Sequence, residues 1–369
     1  MKRTILSFLF FAALAVAVNA EIPQNYKNNY AALIGKQGAA EILSALHGFV
    51  SSHTDIGYSG LWSAYYTTDL QANGDIWDIY STCSYTPGND QCGNVGAVCH
   101  CYNREHSIPQ SWFGEQSPMK ADLFHVYPTD GKVNGQRSNY PYGECSDGTN
   151  LGGHALGKLG ASTFGNYPVG TVFEPVDEYK GDLARTYFYM VACYYNKNFT
   201  MANEGKKVFT WSNSKAGLSD YAIALFLKWT RQDEVSQKEK SRQEAIYGIQ
   251  RNRNPFIDCP VLAEYIWGNK KNQPIAREDL VAAGVIDADA SAVDEIAFPS
   301  LNLTSTNGYV RFEFLPEDAS IYTFTTSGQL FNVTSTTSTD VEISLPEGVY
   351  MFIVTAEGKK QSFKAYIHD

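Results

Sequence analysis

Hydrophobic and polar positions change their period several times along the chain, and the changes divide it. An apolar run from Ile5 to Val18 follows Lys2 and Arg3 and ends in Val18-Asn19-Ala20, the pattern of a secretory signal peptide (residues 1–20) cleaved after Ala20. Helical spacing then governs residues 26 to 48 and 52 to 70, with Leu43, Leu46 and His47 at helical intervals and a second start at Ser59 to Ser63. The clearest helix is KGDLARTYFYMVACYY, in which Leu183, Thr186, Tyr187, Met190, Val191 and Tyr194 recur at i, i+3, i+4, i+7, i+8 and i+11. Asp182 is its expected N-cap, and core packing is the expected role of its aromatic stripe. Two further helices are predicted at about 219–230 and 234–248, starting near Ser219 and Asp233. The prolines of NRNPFIDCP then break the pattern, and a short helix over Val261 to Trp267 closes the region.

Residues 71 to 175 carry few periodic runs and much Gly, Pro, Asn and Tyr, which predicts short strands and ordered loops where functional groups are displayed. From about residue 294 apolar and polar positions alternate with period two, broken by Pro-Glu-Asp, Ser-Gly and Pro-Glu-Gly turns, which predicts a small antiparallel β domain of about six strands. The expected fold class is therefore α+β: a mainly helical domain over 21–290 followed by a small antiparallel β-sandwich over 291–369. No later run is apolar for the roughly 20 residues that a membrane span needs, so the exported chain is expected to be soluble.

Chemistry concentrates upstream, since the tail has no cysteine and only one histidine, His368. In CYNREHSIPQSW, Arg104, Glu105 and His106 stand side by side. Strand alternation would point Glu105 and His106 to opposite faces unless the strand ends there, and Pro109 predicts that it does. Downstream, Asp122 to Tyr127 reads as a second strand, and DGKVNGQRSN as a turn or short helix bearing Asn134, Arg137 and Asn139. Together these would gather a carboxylate, a histidine, an amide and a guanidinium. Carboxylate and amide oxygens suit Mg²⁺, a neutral histidine can take a proton from water, and arginine can clamp phosphate. That set matches metal-assisted phosphodiester hydrolysis; the plainer reading of Arg-Glu-His in a loop is a surface ion pair.

Charge and cysteine content refine this picture. The formal net charge is −10, with −6 in residues 291–369, +2 in the first twenty and −6 between, so a phosphate-binding face must be a local patch assisted by a cation. Four of the seven cysteines crowd into residues 83 to 101, which predicts one or two local disulfides with at least one thiol left over. Zinc at Cys99-His100-Cys101 is a weaker alternative, because the paired spacing of structural zinc sites is missing.

CYNREHSIPQSW, DLFHVYPTDGKVNGQRSNYPYGE, FEPVDEYKGDLARTYFYM and RNRNPFID stand here in the order and approximate spacing of the endonuclease I family, which the chain resembles from about Tyr26 to Trp267. The resemblance implies a nonspecific nuclease built around a ββα-metal motif. By it, His106 is the general base, Glu105 and Asn134 hold one divalent cation (Mg²⁺ first, Ca²⁺ or Mn²⁺ as alternatives), and Arg137 contacts phosphate or fixes the metal-bearing turn. The product would carry a 5′-phosphate and a 3′-hydroxyl. Some relatives carry an additional phosphate-contacting arginine in an insertion after the "REH" strand; Ser107 to Ala121 is short and has none, which leaves Arg104, Arg251 and Arg253 as further substrate-contact candidates. Asp122 and His125 are expected to act behind the ligands, and His47, His53, His100 and His154 to be structural or surface residues. The tail is similar to C-terminal sorting domains of the type IX secretion route, which implies export machinery as a partner, and a secreted or cell-surface location with the periplasm as alternative. A monomer acting on DNA, and on RNA as a further substrate, is expected; the competing expectation is a noncatalytic nucleic-acid or surface binder with a nuclease-like domain.

Overall fold

The computed structural model describes residues 21–93, 96–197, 201–202, 204–211, 215–288, 298 and 300–368, so the expected signal peptide lies outside the described residues. The chain divides into two compact units, the first ending at Asp287 and the second beginning at Ala288.

Helix α1 (Gln24–Ala31) opens the first unit, followed by α2 (Ala39–Val50) and α3 (Gly57–Thr68). The periodic stretch 26 to 48 is thus two helices rather than one. Between them Gly35 and Gly38 lie at φ +78° and +82°, backbone through which no helix continues and that glycine adopts without steric cost. Strand β1 (Tyr102–His106) pairs antiparallel with β2 (Val126–Asp130), from Tyr102 opposite Asp130 to His106 opposite Val126, and α4 (Gly131–Arg137) follows β2 directly.

The second strand starts four residues later than Asp122. Asp122 Oδ1 accepts from the Phe124 amide at 3.0 Å, and its carbonyl accepts from the amides of His125 and Val126 at 3.1 Å. This local bonding holds 122 to 125 as a turn. Asp130 then caps α4, its Oδ1 accepting from the amides of Lys132 (2.7 Å) and Val133 (2.9 Å). The helix ends at Arg137, so Asn139 lies beyond it and is exposed.

Strands β3 (Thr149–Asn150), β4 (Lys158–Ala161) and β5 (Thr171–Glu174) form a small antiparallel sheet in that order. Helix α5 (Lys180–Cys193) runs through the core with every side chain buried except Asp182. Its N-cap position is Tyr179; Asp182 sits in the first turn, where an acid suits the helix dipole, and bonds Arg185 at 3.1 Å. Helix α6 (Asp220–Gln232) is capped by Ser219 as its sequence predicts. Helix α7 (Gln237–Gln250) is capped by Ser236 rather than Asp233, whose carboxylate instead accepts from the Gly181 amide at 2.7 Å. Short helices α8 (Pro255–Asp258), α9 (Leu262–Ile266) and α10 (Arg277–Ala282) follow. The six residues of α10 are too few to show a periodic stripe in sequence.

The second unit holds β6 (Asn302–Thr306), β7 (Tyr309–Glu313), β8 (Ala319–Thr325), β9 (Leu330–Thr336), β10 (Val341–Ser344), β11 (Gly348–Ala356) and β12 (Lys359–Ile367). They make two antiparallel sheets, β10-β7-β6 and β12-β11-β8-β9, around Val310, Phe312, Ile321, Phe352, Val354 and Ile367. Seven strands among the described residues exceed the six expected. Strand β9 leaves Leu330, Phe331 and Val333 exposed, so its pattern does not alternate between core and solvent.

Candidate active site

The site grows from the β1–β2 hairpin and the helix behind it. Alternation along β1 puts Asn103 and Glu105 on one face, and α4 meets that face with Asn134 opposite Asn103 and Arg137 opposite Glu105. Glu105 is 2% exposed. Its Oε1 accepts from the Tyr80 hydroxyl at 2.8 Å and from Arg137 Nη1 at 2.9 Å, whereas Oε2 has no hydrogen-bond partner among the described residues. Burial lifts this carboxyl from its ordinary 4.5 to about 7, against the lowering pull of Arg137 and the Tyr80 hydrogen bond.

Arg137 ties the pieces together. Its Nη1 also donates to the His106 carbonyl at 2.9 Å and its Nη2 to the Ser107 carbonyl at 2.7 Å. The guanidinium carbon lies 4.6 Å from the centroid of the Tyr142 ring, and the Tyr142 hydroxyl is 2.5 Å from that of Tyr80. From α5, Tyr187 donates to the Ser107 carbonyl at 2.8 Å, so one aromatic of the core stripe also steadies the site.

His106 closes β1. Its Nε2 is 3.0 Å from the Lys120 carbonyl oxygen. A carbonyl can only accept, so Nε2 carries the proton and Nδ1 presents the lone pair, the arrangement a general base needs. The ring stacks on Tyr58 at 5.8 Å and lies 5.5 Å from His125. Burial, reinforced by His125, Lys120 and Arg104, pushes the imidazole down to about 3, so it is neutral at neutral pH.

Asn134 donates from Nδ2 to Asn103 Oδ1 at 2.7 Å, and its own Oδ1 has no partner among the described residues. Glu105 Oε2 and Asn134 Oδ1 are thus hard oxygen donors left over from two hydrogen-bonded side chains. Such a donor set fits Mg²⁺, Mn²⁺ or Ca²⁺, which complete their shells with water and phosphate.

The other candidates lie in different settings. Arg104 is half-buried, donates to the Tyr58 carbonyl at 2.9 Å, and stacks on the rings of Tyr58 (3.5 Å) and Trp62 (4.4 Å). Arg251 is exposed at the left-handed end of α7, at φ +68°. Arg253 is buried against Glu244 and Asp258, which engage all its nitrogens. Asp122 accepts from Tyr189 (2.8 Å), Tyr194 (2.9 Å) and Gln250 (3.1 Å). His125 donates from Nε2 to the Met119 carbonyl, and its Nδ1 is buried without a partner among the described residues. Sequence spacing gave no sign of Tyr80, Tyr142 or the Lys120 carbonyl.

Ligand atoms of His53, Asp122 and Cys193 lie within 4.8 Å of one another, but Asp122 already takes the hydrogen bonds named above, so this cluster reads as a buried polar hub. The zinc alternative at Cys99-His100-Cys101 does not hold. Disulfides Cys83–Cys99 and Cys92–Cys101 use both thiols, His100 is exposed, and Cys145, Cys193 and Cys259 are free and buried.

Comparison with known proteins adds to this geometry. The Endonuclease I family profile matches residues 39–261. An extracellular ribonuclease of Bacillus amyloliquefaciens is 36% identical over 240 residues, 63% of this chain and 75% of that protein. One of Bacillus subtilis (strain 168) is 34% identical over 63% of this chain and 76% of its own length. A periplasmic deoxyribonuclease of Aeromonas hydrophila is 24% identical over 48% of this chain and 70% of its length. With a family profile spanning more than half its residues and relatives aligned across three quarters of theirs, the chain belongs to the endonuclease I family.

Proposed function

We propose that this chain is an exported, cation-dependent endonuclease that hydrolyses phosphodiester bonds with little sequence preference, using β1, β2 and α4 as a ββα-metal unit. One observation carries the reading: Glu105, Asn134 and His106 each have one polar atom fixed by the fold and the other left unpartnered among the described residues. The three atoms come from one hairpin and its helix, and none is among the fully buried unpartnered atoms, a group that includes His125 Nδ1.

Glu105 Oε2 and Asn134 Oδ1 would hold the cation. When bound, the cation supplies positive charge that stabilises the developing phosphoryl charge and the departing oxygen. His106 Nδ1 takes a proton from the attacking water, while the Lys120 carbonyl holds the ring and its tautomer. The water oxygen bonds to phosphorus as the P–O3′ bond breaks and the 3′ oxygen takes a proton from solvent water, giving a 5′-phosphate and a 3′-hydroxyl. Arg137, buried and committed to Glu105 and two carbonyls, positions the ligand rather than reaching substrate. Arg104 and exposed Arg251 are the phosphate-contact candidates, and Asp122 and His125 support the turn behind His106. Contacts confined to phosphates carry no sequence information, which makes the enzyme sequence-tolerant.

Relatives named as ribonucleases and deoxyribonucleases make both RNA and DNA candidate substrates. Their extracellular and periplasmic placement fits export of this chain, and among the described residues no helix is long and apolar enough to cross a membrane. We assign the second unit to the export machinery, with secretion as its outcome.

The test is nicking of supercoiled plasmid and cleavage of a long RNA by residues 21–369, with Mg²⁺ and with EDTA, beside His106→Ala. Cleavage should need the cation and fall by about 10²–10⁴ in the variant. Folded wild type that binds nucleic acid but cleaves neither polymer would favour the noncatalytic binder.

A further inference from the structure

The amide of Asn134 has two ends of similar shape, and only one can hold a cation. What decides which end faces outward lies one residue beyond the ligand set. Asn103 Nδ2 donates to the Gly93 carbonyl at 3.1 Å, and Asn103 Oδ1 accepts from Asn134 Nδ2 at 2.7 Å. The order is forced from its anchor. A backbone carbonyl only accepts, so the end of Asn103 that meets Gly93 must be the nitrogen; its other end is then an oxygen, which again only accepts. The end of Asn134 that meets it must be the nitrogen, and the oxygen of Asn134 is left facing away.

The anchor itself is held. Gly93 follows Cys92, whose amide donates to the Tyr102 carbonyl at 3.0 Å and whose sulfur is bonded to Cys101. Tyr102 in turn donates from its amide to the Asp90 carbonyl at 2.8 Å, so the loop lies along β1 at the residue before Asn103.

We propose that Asn103 is a positioning residue that sets the amide orientation of Asn134, turning Oδ1 rather than Nδ2 toward the cation. The proposal rests on the reading of Asn134 as a ligand. Without the Asn103 oxygen, the Asn134 amide is free to present its nitrogen, a donor that repels a cation. Partners of this kind behind a metal ligand are worth about 10–100-fold in metal affinity.

The experiment titrates Mn²⁺ into the intact chain, residues 21–369, by calorimetry, with no nucleic acid present. The variants are Asn103→Leu, Asn103→Asp, Asn134→Ala and the double variant Asn103→Leu/Asn134→Ala, each checked for an unchanged melting temperature. Asn103→Leu removes the acceptor at similar size and should weaken Mn²⁺ binding about 10–100-fold. Asn103→Asp keeps an acceptor facing Asn134 but loses the donor to the Gly93 carbonyl and adds a negative charge, so it should bind Mn²⁺ more tightly than Asn103→Leu. In the Asn134→Ala background Asn103→Leu should have no further effect, since there is no amide left to orient.

Wild-type affinity in Asn103→Leu, or an equal loss on both backgrounds, overturns the positioning role and leaves the endonuclease reading standing. Unchanged affinity in Asn134→Ala alone removes Asn134 as a ligand and overturns the positioning role with it; no Mn²⁺ binding by wild type overturns the cation-dependent reading as well. Asn103 is only half-buried, so the leucine should be tolerated by the fold.

Discussion

Arg137 and Arg253 are two of the most deeply buried guanidiniums in the chain, at 1% and 2% exposure, and each is set against carboxylates. Their surroundings differ in one respect. Arg253 meets Glu244 and Asp258 through four hydrogen bonds of 2.7 to 2.9 Å, and every oxygen of the two carboxylates is used. Asp258 also takes the Tyr30 hydroxyl at 2.8 Å and the Gln243 amide at 2.7 Å. Arg137 donates once to a carboxylate and twice to backbone carbonyls, and leaves Glu105 Oε2 unpartnered. A purely structural pair at this depth is expected to use both carboxylate oxygens, as Asp258 does with Arg253. Burial and charge therefore look alike at the two places; the atom left over separates a fold-holding clamp from a site.

The largest expected effect tests the saturated side. Arg253→Ala leaves two carboxylates facing each other without their cation and should cost about 3–5 kcal/mol of stability, read as the shift in a urea unfolding midpoint. Cleavage per folded molecule, assayed at a temperature where the variant is folded, should stay at the wild-type level. Lost cleavage at full stability would make Arg253 a substrate contact and would dissolve the distinction drawn between the two arginines.

The unsaturated side responds the other way. Arg137→Lys keeps a positive charge near Glu105 but loses the planar fork that spans Glu105 and the carbonyls of His106 and Ser107. Cleavage should fall about 10–100-fold, together with Mn²⁺ affinity, because the ligand is no longer held in one orientation. If only KM for nucleic acid rises while Mn²⁺ affinity is unchanged, Arg137 touches phosphate and the positioning role assigned to it is wrong.

Sequence reasoning reached the candidate site residues to differing depths for physical reasons. Glu105, His106, Asn134 and Arg137 sit in two short segments whose residue types already describe a chemistry, and β1, β2 and α4 bring them to one hairpin and its helix. Tyr80 and Asn103 act through tertiary hydrogen bonds, and the Lys120 carbonyl belongs to the backbone, which every residue has; none of the three leaves a mark in spacing. Arg251 and Arg253 look equivalent in sequence, and only the left-handed turn at Arg251 sends one to solvent and the other into the core. The same holds for the fold. Helices α5 and α6 were legible because a buried stripe repeats through them, whereas the break at Gly35 and Gly38 depends on backbone angles that helical spacing does not encode.

The smallest effect sharpens the comparison through protons. Burial lifts the Glu105 carboxyl to about 7 in the cation-free protein, and a cation needs that carboxyl ionised. Below about 7 each bound ion must displace one proton, so observed Mn²⁺ affinity should rise about tenfold per pH unit between roughly pH 5 and 7 and level off above. Stability of the cation-free protein moves in the opposite direction. The folded carboxyl holds its proton more tightly than the unfolded one, whose ordinary value is 4.5, so its contribution is fully present below 4.5 and is lost as pH rises through about 7. His106, pushed down to about 3, stays neutral throughout this window and cannot produce either trend. Calorimetric titrations across pH 5 to 8, paired with melting in EDTA of wild type against Glu105→Gln, read both directions, because the difference cancels the raised carboxyls of Asp78, Asp233 and Glu239. Affinity that is flat across the window would mean that Glu105 is already ionised at pH 5, and that the free oxygen is solvated rather than held dry for an ion.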